Sequence, residues 1–333
     1  MISDIPTSSD FQNAGVNLLN LAWDSTLSVL SDRILDACGF RKNLSISESY
    51  WKSTQPIHAS SLSLVQQSIE FFLKGKIAEV SPYLLIAGTP LNFPKNSQTQ
   101  DISFSDFRSI DAQDLIRVHD TVSSSRLSRE FCQWYDDLRR LRNKLMHTVD
   151  RAILITDKDV LIKVIEGCEY CVGSRSWVKI RSEYITNSAG GQLLKDNPSE
   201  IIDDNEIAAY RLAQLQREIM TVIEYLEPRY SEQFFGFHKK QRRYICLYCL
   251  SVRQQDSFFE YKYMEEVWLN TAQVGLEHQD IVHCIICEGN YLIKREKCVF
   301  CDNDVIDAHN GLCLSCTSSI PKDAELQTSR KVV

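Results

Sequence analysis

The 333-residue chain has no apolar run approaching the roughly 18 residues that a membrane-spanning helix needs, which excludes a helical membrane protein. Its opening, MISDIPTSSDFQNAG, lacks the basic stretch and apolar run of a secretory signal, so the expected location is the cytoplasm. Positive charge is not in surplus: 37 Lys and Arg stand against 44 Asp and Glu, a net charge of −7. That balance excludes a wholly basic nucleic-acid binder, and any nucleic-acid contact has to come from a local patch. No internal repeat occurs apart from a recurring C-x-x-C unit.

What is present is an ordinary globular composition, 44% hydrophobic and 24% charged, over a length that suits about two domains. Apolar residues at helical spacing predict helices over 12–38 and 58–80, the second ended by Ser81-Pro82. A polar, aromatic-dotted link joins them. A loop over 88–112 and a short helix over about 112–121 follow. Further helices are predicted over 124–149, over 157–185 with a break at Gly173, and over 204–227, capped by Asp204 and stopped by Pro228. The stripe of that last helix is Ala208, Leu212, Leu215, Ile219, Val222 and Leu226. The stretch NSAGGQLLKDNPSE reads as a surface loop. After Phe237 the chain changes to short aromatic and β-branched runs between cysteine pairs, and the last dozen residues read as a frayed tail.

In the helix over 124–149 the core stripe is Leu127, Phe131, Trp134, Leu138, Leu141 and Leu145, with steps of 4, 3, 4, 3 and 4. On a helical wheel Arg142 falls at the edge of this stripe, while Asn143 and His147 lie on the far side as an i, i+4 pair. A solvated outer face would account for them. Against that, Met146 lies between Arg142 and Asn143 on the wheel, which argues that this flank is covered.

The string Arg142-Asn143-x-x-x-His147 resembles the R-x4-6-H signature of HEPN domains, including the polar residue after the arginine. The helix QQSIEFFLKGKIAEVSPYLL resembles the second helix of that family, and the resemblance covers about residues 12–150. It implies a helical bundle that dimerises through the signature helices, with two copies of the motif facing one cleft. Many members are metal-independent ribonucleases; others are nucleotide-binding or scaffold proteins. The residue types suit RNA cleavage, because the 2′-hydroxyl is a nucleophile already in place. His147 would shuttle a proton near neutral pH, Arg142 would bind the charge of the phosphorane, and Asn143 would hold His147 or a phosphate oxygen. Glu70, on the second helix, either orients Arg142 or is a solvated surface carboxylate. One toxin branch carries a modifiable tyrosine two residues after the histidine. Here that position is Val149, so that form of control is not expected.

Twelve cysteines are present, ten of them in five C-x-x-C pairs, and eight of those ten lie after residue 245. In a reducing compartment this spacing reads as metal thiolate and not as disulfide. Cys246/Cys249, Cys284/Cys287, Cys298/Cys301 and Cys313/Cys316 each present two thiolates, half of a tetrahedral zinc shell. Two structural zinc ions follow, with Cys246/Cys249 paired with Cys284/Cys287 and Cys298/Cys301 with Cys313/Cys316, and an interleaved pairing as the alternative that the sequence leaves open. His238, His278, His283 and His309 are spectators in this reading. The fifth pair, Cys168/Cys171, sits in a helical pattern and reads as core packing. Cys38 and Cys132 read as buried thiols. Before the first pair stands HKKQRRY, in which Lys239, Lys240, Arg242, Arg243 and Tyr244 would bind RNA phosphate and stack a base, unless the run is a solvated linker.

The expected architecture is mainly α: an HEPN-like helical domain over 1–150, a helical extension over 151–235, a small cysteine-rich two-zinc α/β module over 236–320 and a flexible tail over 321–333. The expected function is a metal-independent endoribonuclease leaving 2′,3′-cyclic phosphate ends, a toxin or antiviral-defence effector. Its partners would be RNA, a second copy through the Arg142–His147 helix and a regulatory protein, with no membrane. A non-catalytic scaffold, or a nucleic-acid-binding adaptor acting through its zinc module, is the alternative.

Overall fold

The computed structural model describes residues 1–39, 47–88, 93–95, 99–147, 153–188, 192, 204–255, 269–276 and 279–319; the side chains of 32–39 and 147 are outside that description. The protein is mainly helical with a small antiparallel sheet, and it divides into two compact units, Met1–Ser176 and Trp177–Val333. No helix among the described residues is long and apolar enough to cross a membrane. The expected loop over 187–200, apart from 187, 188 and 192, and the expected tail lie outside the described residues.

The first unit is built on two long helices, α1 (Ser8–Gly39) and α2 (Glu48–Val80). Leu19, Trp23 and Leu30 of α1 meet Leu62, Val65, Ile69 and Leu73 of α2 in the core, all at 1% exposure or less. Burying each such side chain contributes about 1.5–3 kcal/mol. The helices approach closely at Gly15, whose carbonyl accepts a 2.7 Å bond from the buried Ser68 hydroxyl. Helix α5 (Asp157–Cys171) packs on both, with Gly167 against Ile69. Helices α3 (Leu115–Val122) and α4 (Arg129–His147) pack on α2. The first unit runs to Ser176 and includes α5.

Helix α2 begins ten residues earlier than its apolar spacing predicts. Ser47 caps it by accepting from the Tyr50 amide, and the helix continues through Pro56. The added turns are tied down by tertiary contacts: Gln55 both donates to the Ile155 carbonyl (2.8 Å) and accepts from the Ile155 amide (2.9 Å). Three residues on, His58 Nε2 lies 2.9 Å from the Asp157 carboxylate, both fully buried. Helix α5 starts there with a reciprocal capping box between Thr156 and Asp159. The break at Gly173 is as expected, with φ +152° between α5 and the next helix.

The second unit starts with α6 (Trp177–Asn187) and α7 (Asp204–Tyr225). The stripe of α7 is broader than expected and rotated. Ile207, Met220 and Ile223 are buried beside Leu215, Ile219 and Val222, whereas Ala208 is exposed and Leu212 half-buried. Pro228 ends that run and also opens α8 (Pro228–Phe235), where its missing N–H costs nothing. In the first unit two short strands, β1 (Ile2–Ser3) and β2 (Ile102–Ser103), pair in parallel; in the second, a short helix α9 (Leu247–Arg253) precedes an antiparallel sheet in the order β3 (Ala272–Val274), β4 (Ile281–Cys284), β5 (Asn290–Arg295), β6 (Val305–Asp307). In register, Ala272 faces Cys284 and Val282 faces Tyr291, so the sheet sets one cysteine pair beside residues distant in sequence.

Candidate functional site

The eight late cysteines gather into two groups of four, Cys246/Cys249/Cys284/Cys287 and Cys298/Cys301/Cys313/Cys316. The pairing is therefore sequential. Within each group all sulfurs lie within 4.8 Å of one another. Cross-pair distances include 3.6 Å (Cys246–Cys287), 3.9 Å (Cys249–Cys284), 3.7 Å (Cys298–Cys316) and 3.5 Å (Cys301–Cys313). A disulfide requires about 2.05 Å. Four sulfurs about 2.3 Å from a central ion stand about 3.8 Å apart along each tetrahedral edge. Both groups fit a metal ion by this measure.

The local backbone explains how each pair presents its sulfurs. Cys246 caps α9, its sulfur accepting from the Cys249 amide at 3.4 Å. The other three pairs are followed by a residue in the left-handed region: Glu288 (φ 55°), Asp302 (φ 60°) and Thr317 (φ 59°). That conformation turns the chain back under the second cysteine of each pair. Amides of Phe300 and Ser315 approach the sulfurs of Cys298 and Cys313 at 3.5 Å. Between the last two pairs, the buried Asp307 carboxylate accepts from the amides of His309 and Asn310, and Gly311 closes the loop at φ +66°.

Crowding splits the thiols electrostatically. Hydrogen bonds from Cys246, Cys249 and Cys284 hold Cys287 far below the ordinary thiol value, while the same network drives Cys249 and Cys284 up. In the second group burial pushes Cys313 up to about 12. Burial also opposes ionisation of Cys316, but hydrogen bonds from Ser318 and the neighbouring thiols outweigh it and bring that thiol to about 6. Four thiols in contact cannot all carry charge without a cation among them.

Two hydroxyls complete the first group. Tyr291 Oη lies 3.2 Å from Cys246 Sγ and 3.7 Å from Cys287 Sγ, and Thr271 Oγ1 lies 3.2 Å from Cys284 Sγ with both residues buried. In the second group the Asn303 side-chain amide reaches Cys301 at 3.3 Å, beside the Ser318 hydroxyl on Cys316. Sequence reasoning missed all three, since none stands at a motif position. The described spectator histidines stay outside both groups: His283 is exposed and bonded to Asn290, His309 is exposed, and His238 lies 3.6 Å from Glu232. His278 lies outside the described residues.

On α4 the packed face is Phe131, Trp134, Tyr135 and Leu138. Tyr135, absent from the expected stripe, is fully buried with its hydroxyl 3.3 Å from the Ala112 carbonyl; burial and then the Glu70 carboxylate raise its pKa. Leu127, Leu141 and Leu145 are only half-buried, and Met146 is 53% exposed. The motif end of the helix is thus less covered than its middle. Arg142 donates from Nη1 to Asn143 Oδ1 at 3.1 Å. Glu70 accepts from Gln66, and among the described residues no hydrogen bond or ion pair joins it to Arg142. The side chain of His147 lies outside the described residues.

The basic run is used largely for folding. Lys239 donates to the Glu224 carbonyl (2.7 Å) and the Leu226 carbonyl at the end of α7, and burial lowers its pKa. Arg243 pairs with the Glu224 carboxylate and lies over Phe237. Tyr244 is buried and pairs with Ala272, so it has no face for a base to stack on. Lys240 and Arg242 are exposed. Of the remaining thiols, Cys168 is buried beside Ser176, Cys171 and Cys132 are half-buried, and the side chain of Cys38 lies outside the described residues. No family model, curated protein or solved structure matches this chain.

Proposed function

We propose that the chain is a metal-independent endoribonuclease of the HEPN type whose second unit is held together by two structural zinc ions. The observation that carries the nuclease reading is the motif end of α4. Arg142 and Asn143 are bonded to each other there, beside half-buried Leu141 and Leu145 and the exposed Met146. Arg142 and Asn143 at a partly uncovered helix end, among Leu141, Leu145 and Met146, suit a site shared by two copies of the chain, joined through α4. In it His147 would take the proton of the RNA 2′-hydroxyl and return one to the 5′-oxygen leaving group. Arg142 would hold the negative charge that gathers on phosphorus, with Asn143 setting the guanidinium plane. Products would be a 2′,3′-cyclic phosphate and a 5′-hydroxyl, and DNA would be spared. A toxin or antiviral effector under the control of a regulatory protein fits such an activity.

Zinc is the reading of the metal because an all-thiolate, tetrahedral donor set selects it over harder ions, and four protein ligands leave no open position for chemistry. The metal would supply cross-linking and nothing to the cleavage step. The test is labelled RNA with purified protein and EDTA. Cleavage to cyclic-phosphate ends is expected, abolished in His147→Ala and Arg142→Ala. Cleavage by His147→Ala at the wild-type rate would exclude this site. RNA binding without cleavage, lost when Lys240 and Arg242 are neutralised, would favour the adaptor. If the enzyme is latent in solution, growth arrest of an expressing host, relieved by either alanine variant, reports the same activity.

A further inference from the structure

The two cysteine groups do not have equivalent surroundings. In the first, Cys246, Cys249 and Cys284 are at 1% exposure or less and Cys287 alone is half-buried; in the second, Cys298 and Cys313 are fully buried, Cys301 and Cys316 are both half-buried, and Val299 and Phe300, between Cys298 and Cys301, are 58% and 63% exposed. The donors differ as well. Beside its backbone amide contact the first group has the Tyr291 and Thr271 hydroxyls at 3.2 Å from two of its sulfurs. The second has the Asn303 side-chain amide at 3.3 Å, the Phe300 and Ser315 amides at 3.5 Å, and the Ser318 hydroxyl and amide on Cys316, all carried by half-buried or exposed residues.

A divalent ion on four thiolates leaves a net charge of about −2 in a buried space, which is costly unless donors are aimed at the sulfurs. Once the sulfurs are deprotonated they carry no hydrogen, so the hydroxyl of Tyr291 must donate to Cys246 and that of Thr271 to Cys284. Strand pairing places the backbone that carries each hydroxyl: Tyr291 lies across from Val282 on β4, and the Thr271 carbonyl accepts from the Ile285 amide at 3.2 Å.

Resting on the reading of both groups as metal sites, we infer that Tyr291 and Thr271 are positioning residues that lock the metal of the first group, leaving that of the second group as the exchangeable one. The chain therefore holds one permanent staple and one that a chelator, a competing metal or a thiol oxidant reaches first.

The test uses the full chain loaded with zinc, a chelator in excess and a metal-binding dye. Two equivalents per chain are expected, leaving in a fast and a slow phase. Cys301→Ser should remove the fast phase only. Tyr291→Phe and Thr271→Val should speed the slow phase about 10- to 100-fold, the range for loss of an outer partner of a ligand, without moving the fast one. With cobalt in place of zinc, Tyr291→Phe should shift the thiolate-to-metal charge-transfer band of one equivalent to longer wavelength, which a merely structural role would not do. Release in one phase, or a slow phase and a cobalt band unchanged in Tyr291→Phe, would overturn the inference. Fewer than two equivalents before chelator is added would overturn the metal reading itself, and that result is read separately.

Discussion

At the scale of single residues, burial decides which charged contacts carry weight. Arg181 is 1% exposed, and Glu218 meets it with both oxygens, Nε to Oε2 at 2.7 Å and Nη2 to Oε1 at 3.2 Å. Gln214 donates to the same carboxylate at 2.8 Å. Glu218→Ala leaves a guanidinium in the interior without its carboxylate, and the expected loss is about 3–5 kcal/mol. Asp137 and Arg140 also pair, at 3.3 Å, but both side chains are more than half exposed. Asp137→Ala should change stability by less than about 1 kcal/mol. Urea denaturation of the two variants checks the ranking, and equal losses would mean that the interior of the second unit admits water to Arg181.

At the scale of elements, the α1–α2 contact depends on one absent side chain. A Cβ at Gly15 would lie 3.0–3.2 Å from three ring carbons of Phe72, itself 4% exposed. Alanine in a helix gains about 1 kcal/mol over glycine, while overpacking a core costs about 1–3 kcal/mol. The buried ring has little room to retreat, so Gly15→Ala should be destabilising. Shortening the ring in Gly15→Ala/Phe72→Leu should recover stability relative to Phe72→Leu alone. A thermal or chemical double-mutant cycle with no coupling between the sites would contradict that contact. Such contacts also explain what could be read in advance. The helical stretches of α1 and of the later part of α2 follow from apolar spacing, and the four metal-type cysteine pairs follow from C-x-x-C, because in both cases local spacing is itself the physics. The first turns of α2 do not, since they run through Pro56 and are secured by Gln55 and His58 against a segment 100 residues away. Tyr135 and Met220 lie beside the stripes that spacing picks out and are nonetheless buried, Tyr135 with its hydroxyl against the Ala112 carbonyl. Tyr291 and Thr271 reach the sulfurs only through strand pairing, which leaves no mark in a sequence.

At the scale of the whole molecule, the end of the second unit is closed differently from the helical parts of the chain. Helices α1, α2 and α5 bury leucine, isoleucine and tryptophan, and α7 and α8 bury Leu215, Ile219, Met220 and Phe234. Around the last two cysteine pairs, the buried cluster consists of Cys298, Ile306 and Cys313, with Cys301 and Cys316 packed against it. There the cysteines themselves are the core, so under the proposed zinc reading removal of the ion removes what joins them and leaves crowded thiols in its place. Hydrogen exchange on the full chain with and without a strong chelator should separate these cases. Amides of β3 to β6 and of α9 should lose protection, first around Cys298 to Cys316 and later around Cys246 to Cys287. Amides of α1, α2 and α5 should keep theirs. Helical circular dichroism should fall only slightly, because the first unit retains its helices. If protection in the strands survives complete metal removal, the cysteine groups are dispensable to the fold. Loss of protection in α1 and α2 together with the strands would instead mean that the two units unfold as one.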